Sequence, residues 1–210
     1  YYYYGNDNTA INNEEEIKDC EIFINDKKIK FNYDYSFDTK GNYIIKYKFK
    51  KLLNSTNYMF YHCELINSLD MSNFDTQNVK NMNSMFHGCK LMKSLNLSNL
   101  NTQNVNSMQY MFHNCHSLLS LDLSSFNTQY VETMEYMFSG CYSLEVLNLS
   151  SFNTQIVGKM NNMFQNCFSL KSLDLSNFIT NQVCNMEEMF FGCNTLKILN
   201  LSNFDTSKEY

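Results

Sequence analysis

Six cysteines recur at intervals of 26 residues, at Cys63, Cys89, Cys115, Cys141, Cys167 and Cys193, and a row of thiols is where chemistry could first reside in this chain. Such thiols could pair, hold zinc or simply pack. If each interval is one coil of a stack, neighbouring cysteines lie about 4.8 Å apart with parallel side chains. That leaves the Cβ atoms wider than the roughly 3.8 Å a disulfide prefers. No Cys-x-x-Cys pair occurs, so the usual zinc signature is missing. The row is therefore expected to be a structural ladder of reduced, buried thiols, each a small inward-pointing side chain. Cys20 and Cys184 fall outside the row and stay open.

Imidazoles are the next candidates. His87 and His113 occupy equivalent positions in adjacent units, and His116 follows three residues after His113, which makes a metal pair conceivable; His62 is the fourth. Histidines at variable surface positions are the simpler reading. No Ser, His and acid constellation and no glycine-rich phosphate loop occurs. The sequence thus predicts no catalytic residues, no cofactor and no metal site, and so no enzyme.

The elements that carry these groups follow from the period. Met-Phe pairs begin at Met59, Met85, Met111, Met137, Met163 and Met189, and each opens a unit close to M-F-x-x-C-x-x-L-x-x-L-x-L-S-x-F-x-T-x-x-V-x-x-M-x-x. A strict period in this range marks a solenoid with one supersecondary unit per coil. Leu-x-x-Leu-x-Leu, for example Leu118, Leu121 and Leu123, predicts one short strand per coil, stacking into a parallel sheet. The wider spacing of Phe126, Val131, Met134, Met137 and Phe138 suits turns and short helical or 3₁₀ segments opposite. One coil cannot bury enough apolar surface to fold alone, so neighbours must stabilise it. Before each cysteine stand His62, Gly88, Asn114, Gly140, Asn166 and Gly192, residue types suited to a left-handed backbone that stops a helical turn. Valine at position 140 should accordingly be tolerated less than asparagine.

Between the last two core residues of each strand segment the residue alternates between acid and amide: Asp70, Asn96, Asp122, Asn148, Asp174 and Asn200. Six stacked carboxylates would repel one another, whereas an interposed amide can donate to its acidic neighbours. Serines (Ser72 to Ser202) and threonines (Thr76 to Thr206) follow at the same period and are expected to satisfy backbone groups at the bends. The amides also create glycosylation-type triplets at Asn96, Asn148 and Asn200, with a fourth at Asn54. Glycans on a regular strand would crowd the sheet, so Asn54 is the better acceptor if the protein is exported.

Composition narrows the partners. Residues 59–210 hold twelve acids against seven lysines and the chain contains no arginine, which argues against nucleic acid. No apolar run is long enough to cross a membrane, so no membrane insertion is expected in this segment. Residues 1–18 predict a linker or disordered lead-in. Residues 19–57, where EIFIN, KIKFNYDYSF and YIIKYKFK alternate with turn signals, predict an N-terminal antiparallel β-meander cap, and 58–210 a solenoid of six coils.

The phrases MFxGCxSLxxLxLSxF and FxTxxVxxM resemble the BspA-like leucine-rich repeat surface proteins over residues 59–206. Many relatives carry a proline after the strand. Here LSxF stands in its place, as in LNLSNFDTS at 199–207. The resemblance implies a leucine-rich-repeat solenoid displayed at a cell surface or secreted, binding host, matrix or cell proteins; an intracellular interaction scaffold, and a cytoplasmic location, are the alternatives. The partner-binding face is expected on the solvent side of the strands, at Asn67, Lys93, Leu119, Glu145, Lys171 and Lys197 together with the acid and amide row. Leu196, Leu199 and Leu201 are expected to form an uncovered edge, with end-to-end self-association, further repeats or a closing cap as its consequence.

Overall fold

The computed structural model describes residues 17–32, 35–205 and 207. The lead-in expected over residues 1–18 falls almost wholly outside them, as does Thr206. Two compact units are present, one reaching as far as Leu52 and the other beginning at Leu53.

The first unit is a three-stranded antiparallel sheet of β1 (Glu21–Ile24), β2 (Lys27–Ile29) and β3 (Ile45–Lys48). Asn25 and Asp26 both have positive φ, 48° and 65°, the geometry of a two-residue hairpin loop that matches strand twist. The strand order is β2-β1-β3, so this sheet is not the expected meander. Cys20, Ile22 and Ile24 supply the apolar face, and β1 is the strand that buries it. The strand with the buried side chains takes the centre, and β3 pairs on its free edge, with Ile22 opposite Tyr47.

The second unit is the solenoid. Its strands are β4 (Ser68–Asp70), β5 (Ser94–Asn96), β6 (Ser120–Asp122), β7 (Val146–Asn148), β8 (Ser172–Asp174) and β9 (Ile198–Asn200), one per coil, paired in parallel and in register. Inside, Phe60, Phe86, Phe112, Phe138, Phe164 and Phe190 form one continuous stack with centroids 5.6–5.8 Å apart. Val79, Val105, Val131, Val157 and Val183 are wholly buried beside rows of methionine and leucine. The last strand is the exception, with Leu199 exposed and Leu196 and Leu201 half-buried.

Opposite the strands the coils form runs of turns; among the described residues no helical or 3₁₀ segment occurs in a repeat, which corrects the expectation. Competition for backbone donors is the reason. The N–H groups of Tyr58, Phe60 and His62 cross to the carbonyls of Asn83, Met85 and His87, while those of Met59, Tyr61 and Cys63 close turns within their own coil. A helix needs every one of these donors for itself. Tyr58 and His62 also take positive φ, 58° and 54°, and the same two positions do so in every coil. The left-handed residue before each cysteine is thus real, but it shapes a turn run and stops no helix.

Threonines join coil to coil. Thr76, Thr102, Thr128 and Thr154 are buried; each donates its Oγ1–H to the carbonyl of the residue 25 positions on and accepts that residue's N–H, over 2.7–3.0 Å. A third ladder of single parallel bridges runs without interruption from Ser55 through Asn81, Ser107, Thr133 and Lys159 to Asn185. The strand face does not run so evenly. Among the described residues β5 does not pair with β6, nor β7 with β8, so the strands associate in twos. A surface cleft of about 160 Å³ opens between Leu95–Ser98 and Asp122, Ser124 and Ser125.

Candidate functional site

The acid and amide row ends each strand and anchors the turn that follows. Oδ1 of Asp70, Asn96, Asp122, Asn148, Asp174 and Asn200 each accepts the N–H of the serine two residues on, over 2.9–3.2 Å. The serine hydroxyls are therefore not the principal turn acceptors. The amides of Asn96 and Asn200 also donate to Asp70 and Asp174, two of the steps at which the alternation predicted such bonds, whereas among the described residues Asp122 receives none from Asn96 or Asn148. The Ser72, Ser124 and Ser176 N–H groups hold the carboxyls of Asp70, Asp122 and Asp174 below the usual range. Asn96 has its nitrogen committed to Asp70, which leaves it ill-suited to carry a glycan. This half of the expected face is exposed and at the same time holds the turns.

The other half stays open to solvent: Asn67, Lys93, Leu119, Glu145, Lys171 and Lys197 are all exposed. Lys171 reaches Glu145 of the preceding coil at 2.5 Å, and Lys90 reaches Glu64 at 2.7 Å. Beside these residues the residues following Cys115, Cys141 and Cys167 form an aromatic row that sequence reasoning did not single out as a binding feature. His116 stacks on Tyr142 with centroids 4.3 Å apart, and Tyr142 on Phe168 at 5.0 Å. Tyr142 and Phe168 remain 37% and 39% exposed, in contrast to the buried phenylalanine stack. Leu65, Leu91, Leu119 and Val146 add exposed aliphatic surface in the same segments of their coils. The signal was present in CH, CY and CF of three successive units, hidden by the variability of that position. Segments 116–119 and 142–145 are tied together by the Ser143 N–H to the His116 carbonyl at 3.2 Å and the Glu145 N–H to the Leu119 carbonyl at 2.9 Å. Side chains on this rim are thus held by backbone ladders.

His116 is drawn away from the conceivable metal pair by that stack. His87 and His113 do meet, with ring centroids 4.7 Å apart, in a cluster with Tyr61, His62, Tyr110 and Tyr136. Among the described residues no three His, Cys, Asp or Glu side chains converge where they could hold a metal ion. Burial, reinforced by neighbouring imidazoles, pushes His87 down to about 3 and His113 to about 4. Both values lie below the ordinary imidazole value of about 6.5. As pH falls the unfolded chain takes up these protons first, so this stability is complete above about pH 6.5 and is lost as pH drops toward 4 and 3. The urea midpoint should therefore begin to fall between pH 7 and about 5.5, before most of the carboxyls titrate. Replacing both residues by glutamine should flatten that fall; an unchanged slope would place its origin elsewhere.

The cysteine ladder is buried from Cys89 to Cys167, and all eight cysteines are free. The thiols of Cys89, Cys115, Cys141, Cys167 and Cys193 each donate to the carbonyl of the phenylalanine 29 residues earlier, over 3.1–3.3 Å. Burial raises the thiols of Cys89, Cys115, Cys141 and Cys167 far above their ordinary value and that of Cys63 to about 11. Cys63 and Cys193, in the outermost coils described, are only half-buried, and Cys184 is exposed. Thiol titration at pH 8 should show Cys184 reacting at once, Cys63 and Cys193 slowly, and Cys20, Cys89, Cys115, Cys141 and Cys167 only with denaturant. Rapid reaction of all eight would overturn the core assignment.

Among the described residues no helix is long and apolar enough to cross a membrane. No curated protein and no solved structure matches the chain. One family model does, that of the family described as Mycoplasma protein of unknown function, DUF285, over residues 54–178 and 119–209.

Proposed function

The chain belongs to that family, whose model takes in nearly the whole solenoid, and on this premise we propose that it is a non-enzymatic protein-binding repeat module, displayed at a cell surface or secreted, and used in adhesion. The observation that carries the reading is the rim. The solenoid buries the phenylalanine stack from Phe60 to Phe164 yet leaves the stacked Tyr142 and Phe168 37% and 39% exposed, beside the exposed Leu119 and Val146. Exposed apolar surface of this kind, rimmed by charged side chains, is characteristic of protein interaction sites. The BspA-like resemblance supports the adhesive and surface-displayed role.

An intracellular scaffold is the second reading, supported by the unpaired thiols, because exported proteins commonly pair theirs. Burial weakens that support, since the ladder thiols are shielded wherever the protein resides. Protease shaving of intact cells that make the full-length protein separates the two: a cleaved solenoid supports display, a protected one the scaffold. For adhesion itself, the labelled chain should bind saturably to cells or matrix-coated wells. Tyr142→Ser with Phe168→Ser should weaken that binding roughly tenfold or more at a temperature where the variant, its Tm lowered by several degrees through the lost stacks, is still fully folded. Saturable binding that ignores the pair would move the contact off the rim; no saturable binding to any surface would count against adhesion.

A further inference from the structure

The geometry points to a particular ligand chemistry for this rim, building on the protein-binding reading: a short extended segment of a partner protein with acidic residues at both ends and aliphatic residues between.

Charge is the first argument. Residues 59–210 carry twelve acids and seven lysines, yet four of those lysines, Lys90, Lys93, Lys171 and Lys197, and only two of the acids, Glu64 and Glu145, stand on the rim. Lys90 and Lys171 are matched to those two acids. Lys93 in the second coil and Lys197 in the sixth are exposed and have no ion pair among the described residues. The rim is a locally positive strip on an acidic protein, bordered at the strand ends by the exposed carboxylates of Asp70, Asp122 and Asp174.

Spacing is the second. Between those two lysines lie the third, fourth and fifth coils, which bear His116, Leu119, Tyr142 and Phe168. Four coil steps at about 4.8 Å each separate Lys93 from Lys197 by roughly 19 Å. An extended peptide at about 3.3 Å per residue spans that distance with about six residues. Carboxylates at its ends meet the two ammonium groups while its middle covers the aromatic row.

Ring geometry is the third. His116, Tyr142 and Phe168 lie nearly parallel, with interplanar angles of 11° and 21°, so the middle ring, Tyr142, has a ring on each face and is left with its edge for solvent. A sugar or a nucleobase seeks a free face on which to stack. Ring edges carry the positive part of the aromatic quadrupole, which suits carbonyl and carboxylate oxygens and aliphatic groups packed between them.

The test uses the whole chain and three fluorescein-labelled octapeptides read by anisotropy: Glu-Glu-Leu-Val-Leu-Val-Glu-Glu, the same core flanked by lysines, and the glutamate-flanked peptide with a serine core. The first should bind roughly tenfold or more tighter than either other, weakening as salt is raised. Lys93→Glu with Lys197→Glu should cost it roughly tenfold with thermal melts that match the parent, since both lysines are exposed. Tyr142→Ser with Phe168→Ser should cost as much in binding, with a Tm lower by several degrees because two ring stacks are lost, but with the chain still fully folded at the assay temperature. Equal binding of the lysine-flanked peptide, no binding at about 1 mM, or binding indifferent to both variant pairs would overturn the assignment. So would tight binding to phosphatidylserine vesicles that both variant pairs abolish, since the rim would then read lipid. If cell or matrix binding survives the lysine reversals but is lost with the aromatic pair, the protein-binding role stands and the acidic ligand falls.

Discussion

Replacing Phe138 by alanine is expected to lower the unfolding free energy by about 3–5 kcal/mol, the cost of emptying a fully buried aromatic site. Phe138 is completely buried and stacks on Phe112 and Phe164, with centroids 5.6 Å away on each side. Removing it severs this six-ring stack near its middle. Each aromatic contact adds about 0.5–1.5 kcal/mol beyond burial, so the value should lie toward the upper end of the range. At roughly 2–4 °C per kcal/mol for a chain of this size, Tm should drop by about 10 °C or more. Phe190, the sixth ring of the stack, is half-buried and has one ring neighbour in the described stack, Phe164. Its alanine variant should cost about half as much or less, because both transfer and cavity terms shrink with exposure. Urea and thermal unfolding of the two variants decide the matter: similar losses would mean that coil stability does not depend on the interfaces on either side. A fall in m for Phe138→Ala would add that the two halves of the solenoid had begun to unfold separately.

Phe138 was legible as core from the sequence because its type and phase repeat six times. The same holds for the leucines of the strands, the buried cysteines and the left-handed residue before each cysteine. Side-chain identity reports these directly, since water, volume and φ select residue types. What was not legible depends on choices between equivalent hydrogen-bond partners. The N–H of Phe60 could have closed a helical turn, but it binds Met85 in the next coil, and no residue type announces that choice. Thr128 looked like turn chemistry for its own coil. Its hydroxyl instead bridges both backbone groups of Asn153. In the first unit, β3 had two edges to choose from and took the free edge of β1. The candidate site was half visible. The row from Asn67 to Lys197 was read as exposed, and is; Asp70 and its counterparts were read as a structural ladder first and a binding surface second, and they are exposed while also holding the turns. The stacked row of His116, Tyr142 and Phe168 escaped notice because three different residue types perform one packing role.

Gly140→Val is the second change expected to have a large effect, and its reason is not the one that conformational preference alone supplies. Gly140 has φ of +74°, where a β-branched residue is penalised by about 1–3 kcal/mol. Asparagine tolerates that φ, so the backbone alone predicts that Gly140→Asn is mild. Any Cβ at 140, however, would sit 2.2 Å from Oδ1 of Asn114 and 3.3 Å from its Cα. The same conflict awaits a Cβ at Gly88, against the ring of His62, and at Gly192, against Asn166. Each side chain in this row leans over the glycine of the following coil, so the alternation of His or Asn with Gly is a packing rule with a period of two coils. Gly140→Asn should therefore cost about 1–3 kcal/mol as an overpacking substitution, and Gly140→Val about 3–5 kcal/mol with the backbone penalty added. A double-mutant cycle isolates the packing part. Gly140→Ala adds the Cβ alone, and Asn114→Gly removes the group it strikes. In the Asn114→Gly background the cost of Gly140→Ala should shrink by about 1–2 kcal/mol, leaving the left-handed backbone term of about 1–2 kcal/mol. Additive losses would show that Asn114 swings aside without cost, despite its amide contact with Nε2 of His113 at 3.1 Å. The rule also predicts that asparagine at 140 becomes acceptable only when both neighbours are emptied, Asn114→Gly below it and Asn166→Gly above, because its own side chain must then lean over a glycine. Chemical denaturation of that triple variant should show it more stable than Gly140→Asn alone, although two further residues have been cut back to glycine.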